Sequence, residues 1–198
     1  MQNRNGKGAI LRIVGIVKDA QGTEISRFAK DNDIYLWNWA VLVAHFLKMN
    51  FCPADATTYA WKGIDGTTRG TTATQFPANG NWTDYYGSAW KVQIGGGTTG
   101  AAVTDVALQS FIQEVTPTLP EIITADPILK IAFSSTFAFT SQTVVSETAI
   151  KANGMICAVN QSFPYLITRD TFTPQTVPAG GSITIQHELW FNGTPPVS

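Results

Sequence analysis

The side chains that could do chemistry in this chain are few and widely spaced. Three aspartates, Asp55, Asp65 and Asp84, lie in a segment rich in aromatic residues. Two carboxylates at a suitable separation could act as acid and base in glycosidic bond hydrolysis, but nothing in the spacing selects a pair. The two histidines, His45 and His187, lie outside any Ser/His/Asp or metalloprotease motif, and no Gly-X-Ser-X-Gly sequence is present. These residues predict a protein that is not an enzyme.

The sequence evidence for a metal, cofactor or nucleotide site is equally weak. Cys52 and Cys157 are too few and too far apart for a zinc site or a disulfide framework, and we interpret both as buried small residues. The aspartates lack the calcium-loop pattern Asp-X-Asp-X-Asp-Gly. The glycine-rich run Gly95–Gly100 lacks the Gly-Lys-Ser/Thr ending of a phosphate-binding loop. We therefore expect no metal and no cofactor, and we interpret the glycine run as a tight, ordered crossing.

Aromatic residues of the segment 50–89 are the better candidates for binding. They are Tyr59, Trp61, Phe76, Trp82, Tyr85 and Tyr86. Aromatic rings beside carboxylates and amides can stack on sugars, or they can anchor contacts with other proteins. The spacing shows no repeated platform, which favours protein contacts, and glycan binding stays open. The polar segment 1–8, with Arg4 and Lys7, is a candidate assembly arm.

Composition narrows the range of partners. The chain of 198 residues is 44% hydrophobic but only 14% charged, with a net charge of −1. A neutral chain offers no bulk attraction to nucleic acid or to anionic membranes. The polar first residues lack the apolar region of a signal peptide, and no apolar run reaches the length of a membrane span. So low a charge is typical of a protein whose surface is covered by neighbouring subunits, which predicts a homo-oligomer.

The elements that would position these residues are mainly β-strands. In residues 128–140, Phe133, Phe137 and Phe139 alternate with small and polar residues, as in a half-buried strand. Residues 182–191 alternate in the same way, with His187 on the inward face. Between them we predict strands at 144–150, 155–159 and 166–172, with a hairpin turn at Asn153-Gly154.

The earlier part of the chain is more varied. Residues 9–30 predict a hairpin, Asp31 or Asp33 caps a predicted helix at 34–49, and residues 50–89 form an irregular aromatic-rich excursion. A short strand precedes the glycine run, and Thr104-Asp105 is predicted to cap one helical turn that buries Phe111. We predict a flexible arm at 1–8 and one domain at 9–198. Its main module, 90–191, is an antiparallel β-sandwich of jelly-roll-like form.

Five short motifs resemble a pattern found in virion structural proteins of tailed phages and related viruses. They are Val92-Gln-Ile-Gly-Gly-Gly-Thr-Thr, Thr104-Asp-Val-Ala-Leu, Val145-Ser-Glu-Thr-Ala-Ile, Leu166-Ile-Thr-Arg-Asp and Val177-Pro-Ala-Gly-Gly-Ser-Ile-Thr-Ile. In that pattern the third motif usually has a glycine before its leucine, where this chain has Ala149. The resemblance covers about residues 90–191 and implies a β-sandwich component of a capsid, neck or tail, with no catalytic residues.

The sequence therefore predicts a non-enzymatic virion component, assembled in the host cytoplasm and bound to copies of itself and to other virion proteins. The alternative is a glycan- or receptor-binding β-sandwich module that recognises a host-surface glycan through the aromatic residues. A glycoside hydrolase that uses two of the loop aspartates is the third hypothesis.

Overall fold

The chain is mainly antiparallel β-structure in the residues that the computed structural model describes, which are 10–31, 61–69, 91–118, 121–125, 128–156 and 161–192. The strands are β1 (Ile10–Lys18), β2 (Glu24–Asp31), β3 (Trp61–Lys62), β4 (Thr68–Arg69), β5 (Lys91–Gly95), β6 (Phe111–Val115), β7 (Glu121–Ala125), β8 (Ile128–Ala138), β9 (Thr143–Ile156), β10 (Gln161–Val177) and β11 (Ser182–Asn192). No helix lies within these ranges.

Two sheets account for nine of these strands. Sheet A has the order β2-β1-β11-β8-β7, and sheet B has the order β10-β9-β5-β6. Every neighbouring pair is antiparallel. The remaining two strands, β3 and β4, pair only with each other among the described residues.

The main hydrophobic core contains side chains from both sheets. Sheet A contributes Ile13, Val17, Phe137, Ile183 and Ile185, and sheet B contributes Val92, Ile94, Val145, Phe172 and Val177. Full burial of one such side chain contributes about 1.5–3 kcal/mol, so this shared cluster is what holds the two sheets together. The predicted mainly β architecture is confirmed, in a sandwich-like arrangement of the two sheets.

The predicted strand phases agree in part with the observed burial, since Ala132, on the predicted outer face of β8, is also buried. In β8 and the residue after it, Phe137 and Phe139 are buried whereas Thr136 and Ala138 are exposed. Phe133, earlier in the same strand, is half-buried. In the last strand the inward-phased residues, including His187, are buried as predicted, but Glu188 and Trp190 on the opposite face are buried as well.

The opening hairpin is confirmed. Asp19 accepts the N–H groups of Gln21 and Thr23 on one carboxylate oxygen, at 3.0 and 2.8 Å. Gly22 adopts a φ of 82°, a backbone conformation that favours glycine. Further along the strands, Gly15 lies under the ring of Phe28, whose Cε1 would be 2.0 Å from a Cβ at that position. Glycine is therefore required there for the hairpin to pack.

The hairpin turn predicted at Asn153-Gly154 is wrong. Strand β9 continues through both residues to Ile156, and Asn153 pairs with Pro164 while Gly154 pairs with Phe163. Pairing with β10 therefore overrides the local turn preference of the Asn-Gly dipeptide. The strand predicted at 155–159 is, up to Ile156, the continuation of β9.

The helical turn predicted after Thr104-Asp105 is also wrong. Its predicted inward residue Phe111 is 56% exposed and begins strand β6, where it pairs with Gly95. Asp105 accepts the N–H of Ala102, an earlier residue, at 2.8 Å. The carboxylate thus closes a turn that precedes it and does not cap a helix that follows.

Other predictions for the first half of the chain fall mostly outside the described residues. These are the arm at 1–8, the helix at 34–49 and most of the excursion at 50–89. The part of the excursion that is described, residues 61–69, is a short hairpin, so an irregular segment was the wrong prediction there.

Candidate functional site

The glycine run lies against a buried carboxylate. Glu147, on β9, is completely buried, and its Oε1 accepts the N–H groups of Gly97 and Ser110 at 2.9 and 2.7 Å. Its Oε2 accepts the N–H of Gln109 at 3.1 Å. A Cβ at Gly95 or Gly97 would lie 2.5 or 2.6 Å from Oε1, closer than real contacts allow. Two of the glycines are therefore needed so that the backbone can approach this carboxylate.

A buried guanidinium completes the arrangement. Arg169, on β10, is fully buried and donates from Nε and Nη2 to Glu147 Oε2, at 3.1 and 2.9 Å. Its Nη1 donates to Asp105 Oδ2 at 2.6 Å, and its Nη2 also reaches the carbonyl of Thr99 at 3.2 Å. We call these three side chains, with the backbone of residues 97–110 that they bind, the Glu147 network.

The electrostatics of the network fit a structural role. Burial alone raises the pKa of Glu147, but the backbone N–H donors and the Arg169 guanidinium lower it, and the net pKa lies below its ordinary value. A general acid at neutral pH needs the opposite shift. Because each oxygen of Glu147 already accepts at least two hydrogen bonds, the carboxylate holds the loop and is not open to a substrate.

Apolar side chains also hold the loop at 96–110 and the β3–β4 hairpin against sheet B. Ala149 and Leu166 are completely buried, and the half-buried Leu108 and Ile64 pack against them. Ile64 also donates its N–H to the carbonyl of Pro164 on β10 at 3.0 Å. The loop at 96–110 and the hairpin at 61–69 therefore both contact strands β9 and β10.

His187 is buried between the two sheets. Its Nε2 lies 3.5 Å from Thr148 Oγ1 on sheet B, and its Nδ1 has no hydrogen-bond partner. Burial lowers the pKa of His187 from 6.5 to about 4. The side chain is therefore neutral at physiological pH. Its neighbour Glu188 is directed to the other face of the strand and bonds Lys130 at 3.0 Å, as the alternation predicts.

The aromatic residues predicted as binding candidates are not brought together by the described structure. Trp61 is the first residue of β3 and pairs with Arg69. The other five, Tyr59, Phe76, Trp82, Tyr85 and Tyr86, lie outside the described residues, as do Arg4 and Lys7 of the predicted assembly arm. Of the three aspartates, Asp65 lies in the β3–β4 turn and accepts the N–H and hydroxyl of Thr67, at 3.0 and 2.7 Å. Asp55 and Asp84 also lie outside the described ranges.

The Glu147 network was not among the predicted site residues, although a signal for it was present. Asp105, Glu147 and Arg169 each belong to one of the motifs in the resemblance, and the glycine run belongs to another. Each residue alone had the appearance of ordinary strand or turn chemistry. The shared signal is that the polar residues of these motifs belong to one group, which predicts that they lie together.

No protein family, curated protein or solved structure matches this chain. Within the described ranges no group of three or more His, Cys, Asp or Glu side chains could hold a metal ion. In the same part of the chain, no helix has the length and apolar character that crossing a membrane requires.

Proposed function

We propose that this protein is a non-enzymatic structural component of a virus particle, a capsid decoration, neck or tail protein, that acts through contacts between subunits. In this proposal the two sheets form a jelly-roll-like sandwich, and the protein is made in the host cytoplasm and incorporated into the virion. Its partners are copies of itself and other virion proteins.

The Glu147 network is the observation that carries the proposal. Four of the motifs that resemble the virion pattern are spread over residues 92–170, and their distinctive members, the glycine run, Asp105, Glu147 and Arg169, meet in one buried cluster. A chance set of loose motifs has no reason to converge in space. The convergence supports the view that the motifs form one structural unit, as a resemblance to a family implies.

The chemistry of the network supports an assembly role over an enzymatic one. Its carboxylates and guanidinium are used to fix a loop on a sheet, and the buried histidine is enclosed between the sheets. The low charge of the chain adds to this, since surfaces buried by neighbouring subunits contain few charged residues.

The solution mass of the purified chain, measured by light scattering across a range of concentrations, tests the proposal. We expect a defined oligomer, with a mass that is a whole multiple of the chain mass. A monomer at every concentration that also fails to bind other particle proteins would contradict the proposal. In that case a glycan array, read together with tryptophan fluorescence, would test the alternative that the aromatic residues bind a host-surface glycan.

A further inference from the structure

The four edges of sheets A and B differ in how well they are protected. Edge strands expose unpaired N–H and C=O groups, and proteins usually block such edges with prolines, bulges, charged side chains or short strands. Three edges carry these features. Strand β10 has two register shifts and contains Pro164 and Pro174. Strand β6 is only five residues long and has one register shift. Strand β7 is also five residues long, and in the sequence it lies between Pro120 and Pro127.

The fourth edge, β2, is eight residues long and contains no proline. Its one register shift lies at the start of the strand, opposite Val17 and Lys18 of β1, and the register with β1 is unbroken from Ser26 to Asp31. Its charged residues Arg27, Lys30 and Asp31 are each paired with an opposite charge within the chain.

Strand β2 is also held firmly from its inner side. Ser26 donates to Gln175 at 2.7 Å, the ring of Phe28 stacks on Phe172 at 4.5 Å, and Lys30 bonds Asp170 at 2.6 Å. All three contacts cross from sheet A to β10 of sheet B. These contacts fix the position of β2 within its own chain. Pairing with another strand would therefore cost less conformational entropy.

The outer face of β2 carries opposite charges around a small residue. Arg27 and Asp31 lie two positions on either side of Ala29, and the side chains of Arg27 and Asp31 are 55% and 51% exposed. In an antiparallel pair of identical strands centred on Ala29, Arg27 of each copy lies opposite Asp31 of the other. Directly opposite side chains are close enough for such charges to attract.

Within each chain these two residues already pair with charges of their own. Arg27 bonds Glu24 at 2.8 Å, and Asp31 lies 3.3 Å from Arg12. In the pairing centred on Ala29, the Glu24–Arg27 pair of one chain would lie beside the Asp31–Arg12 pair of the other chain. The four charges would then alternate in sign across the contact between the two subunits. Centring on Arg27 instead places two arginines opposite each other, and centring on Phe28 places Asp31 opposite Ile25. The charges therefore favour the Ala29 register.

We propose that β2 pairs with β2 of a second copy of this chain, antiparallel and centred on Ala29, so that sheet A becomes one continuous sheet of two subunits. This inference rests on the proposed function, because it names one of the subunit contacts that an assembly protein must make.

A charge-exchange experiment tests the register. Arg27→Asp and Asp31→Arg each place like charges opposite each other at both ends of the pairing, and we expect each to weaken self-association about tenfold or more. Mixing the two variants restores opposite charges at every position, so a heterodimer as stable as the original dimer is expected. Lys91→Asp is the control, because it replaces a cation by aspartate on β5 of sheet B, away from β2.

Cross-linking gives a second readout that does not depend on affinity. Ala29→Cys brings two thiols together on the symmetry axis, and mild oxidation should yield a covalent dimer. The unmodified chain measures any background from Cys52 and Cys157, and Thr136→Cys, on an exposed position of β8, is the matched control. No covalent dimer above these controls overturns the inference.

The outcomes separate the inference from the proposed function. If the chain forms an oligomer whose mass and affinity do not respond to Arg27→Asp, β2 is not the contact, although assembly through another surface stands. If the chain does not associate with itself at all, the inference fails and the proposed function is left with docking on other virion proteins alone.

Discussion

Glu147 and Arg169 form an ion pair with no access to solvent. Taking both charges out of water costs several kcal/mol, which is recovered only because the remaining polar groups of both side chains are also bound. The two residues thus depend on each other, and on the loop at 96–110 that supplies three backbone donors. Removing one partner leaves an uncompensated charge in the interior, which costs more than the pair itself contributes.

We expect Arg169→Met to lower the free energy of unfolding by about 3–5 kcal/mol, because it leaves the Glu147 carboxylate buried without its guanidinium. Urea denaturation measures this change. Arg27→Met is the matched control, since it removes an arginine from an exposed ion pair, and it should change the unfolding midpoint little. Equal effects of the two substitutions would show that the Glu147 network does not stabilise the protein.

Single strands with clean alternation are the elements that the sequence predicts well. In the second half of β8 and the first half of β11 buried and more exposed side chains alternate, so a period of two in the sequence is enough to assign which side chains are buried there. The predictions that are wrong involve competition between local and distant partners. Asn153-Gly154 is a strong turn signal taken alone, yet both residues pair in the sheet with β10, a contact that no local window of sequence contains.

The Glu147 network is hidden from sequence for a similar reason. Glu147 and Arg169 lie on neighbouring strands, and their third partner, Asp105, lies in a loop beside them. Polar residues in strands usually indicate an exposed face, so periodicity alone places both side chains in solvent. Only the loop that covers this face makes it an interior, and that covering is a tertiary contact.

Phe137→Ala tests the assigned face of β8. Phe137 is completely buried in the core shared by the two sheets, so its truncation should cost about 3–5 kcal/mol of unfolding free energy. Thr136→Ala, at the neighbouring exposed position, should cost far less in the same urea titration. A loss below about 1 kcal/mol for Phe137→Ala would mean that this strand has the opposite phase.

At the scale of the whole molecule, the contact between the two sheets includes polar side chains as well as the apolar core. His187 of sheet A lies 3.5 Å from Thr148 of sheet B, and Lys30 of sheet A pairs with Asp170 of sheet B. Asp170 is the register partner of Thr148. The two sheets are therefore joined here by an ion pair and by a buried imidazole.

Acid should weaken the fold between pH 6.5 and about 4. His187 has a lower pKa in the folded state, about 4 against 6.5, so below pH 6.5 the unfolded chain binds a proton that the folded chain does not. The stabilisation is complete above pH 6.5 and falls as the pH falls, by about 3 kcal/mol in total at about 1.4 kcal/mol for each pKa unit. Urea titrations at a series of pH values measure this slope.

The comparison with His187→Leu isolates the effect. This variant should lose the slope between pH 6.5 and 4 whatever its absolute stability. Glu147 has a folded-state pKa below its ordinary value of 4.5, so its contribution is present above that pH and is lost only in more acidic solution. An unchanged slope in His187→Leu would assign the acid response to other groups.

The position of β11 between β1 and β8 has a consequence for how the chain is made. Lys18 of β1 pairs with Ser182 of β11, and these residues are 182 − 18 = 164 positions apart. A ribosome therefore releases the opening hairpin long before its central partner exists, whereas β9 and β10 follow each other directly and can pair early. Contacts so distant along the chain slow folding, because a long loop must close first. The central strand of sheet A is thus added late, after almost the whole described chain has been synthesised.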